Sequence, residues 1–100
     1  MSETPQQLHA VVHGHVHGVS FRYNTQRVAE QLSLDGWVRN ADDGTVEVVA
    51  EGSRSKLDEL LAFLHKGPPA AQVTAVDVEW SAATRRYDGF KIRSNRFCNG

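Results

Sequence analysis

The chain has one cysteine, three prolines and no long uninterrupted apolar run, and each scarcity removes a class of explanation. The single Cys98 has no internal disulfide partner, which suits a reducing compartment and leaves the fold to stand on its core. Cys98 itself reads as an incidental thiol, because a nucleophile needs a partner base and a shaped pocket. Residues 1–7 show neither a cationic region nor an apolar stretch, so they do not resemble a signal peptide. No segment approaches the roughly 20 apolar residues of a membrane span. A cytoplasmic location without a membrane partner is therefore expected. Charge of one sign is missing too: 11 Lys and Arg stand against 12 Asp and Glu, a net charge of -1. That balance argues against a nucleic-acid partner, and any basic site has to be local.

What is present suffices for one domain, since 100 residues with 40% hydrophobic content can bury a core without metal or disulfide. Residues 8–14 alternate as a strand, with Leu8, Ala10 and Val12 on one face. From Arg22 to about Leu34, Val28, Ala29 and Leu32 recur at helical spacing, and Asp35-Gly36 is expected to end that helix. Strands at 37–40 and 45–51 flank an Asp-Gly turn at 41–44, which predicts a hairpin. Leu57, Leu60, Leu61 and Leu64 then mark a second helix, with Ser53 or Ser55 as its cap and Gly67-Pro68-Pro69 as its stop. The spacing predicts that all four leucines share the buried stripe. Two more strands surround a polar connection at 81–88, one carrying Val76, Val78 and Trp80 and the other Phe90 and Ile92. The boundaries expected are a disordered segment at 1–7, one domain at 8–93 and a polar tail at 94–100. A βαββαβ order buries two helical stripes only if both helices lie on one face of an antiparallel sheet. That is the ferredoxin-like α+β sandwich.

That architecture hosts unrelated functions, so function has to come from a site. The most distinctive segment is Gly14-His15-Val16-His17-Gly18-Val19-Ser20-Phe21-Arg22. It sets a glycine-bounded loop and an arginine at a helix start. The first N–H groups of a helix lack internal partners and, with the helix dipole, favour a bound anion. Arg22 adds a guanidinium that can grip two phosphate oxygens. A second segment follows: Gly36-Trp37-Val38-Arg39-Asn40, then Gly44, Val46 and Gly52.

Together the two segments resemble the acylphosphatase family. Its first signature reads Gly-x-Val-Gln-Gly-Val-x-Phe-Arg, matched by Gly14, Val16, Gly18, Val19, Phe21 and Arg22, with His17 where the family usually has glutamine. Its second reads Gly-aromatic-small-basic-Asn, then Gly-x-Val and a later Gly, matched by Gly36 to Asn40, Gly44, Val46 and Gly52. The likeness extends from about Leu8 to Arg93. It implies hydrolysis of acyl phosphates to a carboxylate and inorganic phosphate, with no metal and no cofactor. The implied roles give the phosphoryl group to Arg22 and to the backbone amides of His15, Val16, His17, Gly18, Val19 and Ser20. The water falls to Asn40.

Each of these residues admits a plainer reading. Arg22 can be a surface arginine, although a cation beside a helix N-terminus makes better sense with an anion between them. Asn40 can be a turn residue. His13, His15 and His17 alternate as metal ligands do on a strand, which raises a zinc or nickel site; Gly14 and Gly18 argue instead that the strand ends and the rings diverge. His17, if protonated beside the anion, would tune phosphate affinity with pH. A non-enzymatic phosphate- or anion-binding module is the other alternative. An RNA-binding version lacks stacking rings in 45–51, and a metal-carrier version lacks a Cys-x-x-Cys pair. A monomer is expected, since no exposed apolar strip is evident.

Overall fold

The structure, a computed structural model, describes residues 4–93. The expectations for residues 1–3 and for the 94–100 tail, Cys98 included, lie outside the described residues. The elements are β1 (Gln6–His15), α1 (Phe21–Gln31), β2 (Asp35–Asn40), β3 (Val46–Gly52), α2 (Arg54–Lys66), β4 (Gln72–Ala82) and β5 (Phe90–Arg93). β1 starts two residues before the expected Leu8, because Gln6 pairs with Gly52 on one side and Ala82 on the other.

The sheet order is β4-β1-β3-β2-β5, and its first four strands pair antiparallel as the βαββα pattern requires. β5 departs from the wholly antiparallel expectation by joining β2 in parallel. The reason is directional. One reversal after β4 the chain already runs in the direction of β2, so docking on the free edge of β2 can only be parallel.

Leu8, Ala10 and Val12 of β1 and Val46, Val48 and Ala50 of β3 lie fully buried beneath the helices. α2 seats Leu57, Leu60 and Leu64 on them, each removed from water and each worth about 1.5–3 kcal/mol by transfer. Leu61, expected on the same stripe, is only half-buried at its flank. α1 buries Phe21, Thr25 and Ala29, while Val28 and Leu32 pack at the edge. The two helices meet through Phe21 and Phe63, whose ring centroids are 6.0 Å apart.

α1 does not end at Asp35-Gly36, which instead opens β2. Ser33 adopts the left-handed conformation (φ 58°), and two bonds close the end: Ser33 N–H to the Glu30 carbonyl and Leu34 N–H to the Ala29 carbonyl. That is a Schellman end with its apolar contact made by the buried Leu34 and Ala29. Gly36 has a different duty. A Cβ there would stand 1.9 Å from the Val49 carbonyl oxygen, so β2 and β3 approach closely only because it has none.

The helix-free face of the sheet sets charged and polar side chains around the buried Trp37 and Val49. Glu47 on β3 accepts from His9 Nε2 at 2.6 Å and from Arg39 Nε at 2.7 Å. Burial pushes its carboxyl up, but the two hydrogen bonds and the Arg39 charge outweigh burial and hold it below the ordinary carboxylate range. Glu51, on the same strand, is buried. Its carboxylate accepts three hydrogen bonds from the connection that leads to β5: Thr84 N–H and Oγ1, both at 2.8 Å, and Arg85 N–H at 2.9 Å.

Candidate active site

The bulge between His13 and Gly14 ends the regular alternation of β1, and a short loop then turns the chain into α1. Gly18 supplies a positive φ of 73°, and Ser20, the residue before the helix, is left-handed as well at φ 62°. An L-residue there carries strain on the order of 1–3 kcal/mol, which the surrounding fold has to hold in place. The Ser20 carbonyl accepts both the backbone and the side-chain N–H of Asn24, at 3.0 and 2.8 Å. No side chain caps the helix start, and the first turn has no acidic residue. Its orphan amides therefore face outward with nothing anionic competing for them.

Residues of that first turn border a depression of about 180 Å³. Val16, Gly18 and Ser20 of the loop line it together with Arg22 from the first turn of α1 and Asn40 from the end of β2. Sheet geometry explains why Asn40 and not Arg39 is there. Successive side chains on a strand point to opposite faces; Arg39 pairs across to Glu47 on the helix-free face, whereas Asn40 pairs with the buried Val46 on the helix side. Arg22 and Asn40 are both half-buried. Among the described residues neither side chain has a hydrogen-bond or ion-pair partner, whereas Arg39 is tied to Glu47 and Arg54 to Asp58. A guanidinium and a carboxamide thus reach one depression with their hydrogen-bonding capacity uncommitted.

Three residues of the expected amide set, His15, His17 and Val19, do not border the depression. His15 is the last residue of β1 and pairs with Gln72. The His17 ring turns away to donate from Nε2 to the Thr45 carbonyl at 2.9 Å, so it ties the loop to the hairpin and does not face an anion in the depression. The same carbonyl accepts the Ala41 N–H at 2.8 Å, while the Thr45 hydroxyl and N–H both go to Asp43. The hydroxyl bond, more than the backbone one, keeps the Asp43 carboxyl below its ordinary range. This knot fixes the hairpin tip next to Asn40.

The histidine alternation does not converge. His13 Nε2 meets Asp77 on β4 at 2.9 Å, and His17 goes to the opposite side of β1, toward β3. Among the described residues no group of three or more His, Cys, Asp or Glu side chains is arranged to hold a metal ion. Beyond the expected site set, Phe21, Tyr23 and Ile92 also line the depression. Tyr23 carried a signal, since an aromatic residue off the buried stripe of α1 has no core to join.

With this geometry in view, comparison with known proteins is informative. The acylphosphatase family model matches residues 8–92. An acylphosphatase of Salinibacter ruber is 43% identical over 90 residues, covering 90% of this chain and 95% of that relative. One from Pelotomaculum thermopropionicum is 49% identical over 86 residues, covering 86% and 94%. The crystal structure of an acylphosphatase from Bacillus subtilis superimposes with a TM-score of 0.85 at 38% identity, covering 88% of this chain and 98% of that one. A match spanning the whole domain, both signatures included, settles the kinship: this chain belongs to the acylphosphatase family.

Proposed function

We propose that the protein hydrolyses the carboxyl–phosphate bond of small acyl phosphates, releasing a carboxylate and inorganic phosphate. The observation that carries this reading is the meeting of two uncommitted side chains, Arg22 and Asn40, at one depression beside an uncapped helix start. In this reading the guanidinium and the amides of the loop and first helical turn hold the three phosphoryl oxygens. The Asn40 carboxamide, which both accepts and donates, orients the attacking water in line with the breaking bond.

The chemistry asks for little more. The leaving carboxylate has a conjugate-acid pKa of about 4, so it departs without a general acid. Gathering negative charge and positioning water remain, and these are what a preorganised cradle supplies. The water's proton goes to a phosphoryl oxygen as the new P–O bond forms and the carboxylate leaves. The balanced charge of the chain fits a small-molecule substrate, and the lone cysteine fits a reducing cytoplasm. We take the working unit to be the monomer, since the depression is lined from a single chain.

The test is turnover of acetyl phosphate with a chelator present, set against an alkyl phosphate monoester. Steady hydrolysis of the acyl phosphate and negligible hydrolysis of the ester are expected, because an alkoxide leaves poorly without an acid or a metal. Comparable rates on the two, or loss of activity with the chelator, would overturn the proposal.

A further inference from the structure

Charge is only half of what the depression offers. Among the described residues the large apolar side chains standing exposed are Tyr23, at 56%, and Ile92, at 40%. Both border this depression. A lone exposed apolar side chain is ordinary, but two from separate elements at one mouth form a patch that calls for a reason. Neither is needed for packing, since α1 buries Phe21, Thr25 and Ala29 and β5 buries Phe90.

Their placement is fixed. Tyr23 follows Arg22 in the first turn of α1, and Ile92 pairs with Val38, which shares the helix-side face of β2 with Asn40. The Gln26 side chain donates to the Phe90 carbonyl at 3.1 Å and locks α1 to β5. The Arg27 guanidinium lies 5.9 Å from the Tyr23 ring centroid and steadies the ring from one turn along the helix.

We infer that Tyr23 and Ile92 form an apolar rim that receives the acyl substituent and are the residues that set how strongly an aryl or bulky apolar acyl group is discriminated from acetyl. This rests on the proposed hydrolysis. A phosphoryl group seated against the loop amides and Arg22 directs the carboxyl end outward, past these two side chains. An acetyl methyl group leaves most of the rim in water, whereas an aryl ring covers it. Loss of one such partner changes discrimination by about tenfold.

The measurement is kcat/KM for benzoyl phosphate and for acetyl phosphate in the wild type, Tyr23→Ala, Tyr23→Phe and Ile92→Ala. General damage to the phosphate cradle lowers both substrates together, so the benzoyl-to-acetyl ratio isolates the rim. The ratio is expected to fall about tenfold in each alanine variant and to be kept in Tyr23→Phe. A ratio within about twofold of the wild type in either alanine variant overturns the inference, as does a fall in Tyr23→Phe equal to that in Tyr23→Ala. A wild type that hydrolyses neither compound overturns the proposed function itself, and this inference with it.

Discussion

Replacing Glu51 by glutamine should destabilise the fold at neutral pH and make part of its acid sensitivity vanish. The carboxylate is buried and accepts from Thr84 N–H and Oγ1 at one oxygen and from Arg85 N–H at the other. An amide offers only one oxygen. In its better orientation it keeps the two Thr84 bonds, weakened by loss of charge, and points an NH₂ at the Arg85 N–H. One charge-assisted bond of about 1.5–3 kcal/mol is lost and two are weakened, so a total of about 2–4 kcal/mol is expected. Arg85 is itself left-handed at φ 60°, so the clamp also holds strained backbone. With a urea m-value on the order of 2 kcal/mol/M, the midpoint should fall by about 1–2 M, followed by the fluorescence of Trp37 and Trp80. The pH dependence follows from the direction of the shift. Burial raises the Glu51 carboxyl, but the hydrogen bonds from Thr84 and Arg85 and the nearby Arg86 charge outweigh it, so the folded value lies below the ordinary 4.5. Stability from this group is therefore full above 4.5 and disappears as pH falls through the lower folded value. The wild-type and Glu51→Gln curves should converge in acid, since the other carboxylates titrate in both. Equal midpoints at neutral pH, or a gap that stays constant in acid, would refute the reasoning.

The roles proposed for the site separate by substitution. Arg22→Ala should abolish inhibition by inorganic phosphate and lower kcat/KM on the order of a hundredfold or more, whereas Asn40→Ala should keep phosphate inhibition and lose kcat; near-normal turnover of the latter would remove the water-orienting role. In the core, Leu60→Ala should cost about 2–5 kcal/mol in chemical denaturation and the half-buried Leu61→Ala clearly less, so equal costs would contradict the packing described. Gly36→Ala should cost on the order of 3 kcal/mol or more, or prevent folding, because its Cβ would overlap the Val49 carbonyl in a backbone with φ 144°. A Gly36→Ala protein of native midpoint would show that β2 can move away.

The local patterns in the sequence and the long-range features of the structure differ in how readable they are. Leu8, Ala10 and Val12 alternate, and Leu57, Leu60 and Leu64 recur at helical spacing, so their burial follows from periodicity alone. Leu61 shows the limit: the same spacing admits a stripe of three or four leucines, and the packing of α2 buries three. Ser33 was invisible as a helix end because left-handed serine has no distinctive signature, and Asp35-Gly36 offered a more conventional stop. The burial of Glu51 depends on backbone donors more than thirty positions away, which no pattern within the strand reports. At the site, two spaced motifs made Arg22 and Asn40 legible, and the structure brings them to one depression. Of the six loop residues expected to offer amides, Val16, Gly18 and Ser20 line that depression. Ile92 could not be assigned to that rim before the parallel docking of β5 was known.

The order β4-β1-β3-β2-β5 carries a consequence for how activity arises. β1, the earliest strand in the chain, is an interior strand; Gln6 has to wait for both Gly52 and Ala82. Bridging such distant partners is slow, and little is gained until the last of them arrives. A nascent or truncated chain can therefore carry the complete first signature and still be inert, since nothing yet stiffens the loop that follows it. Turnover and the tryptophan signal should return together during refolding.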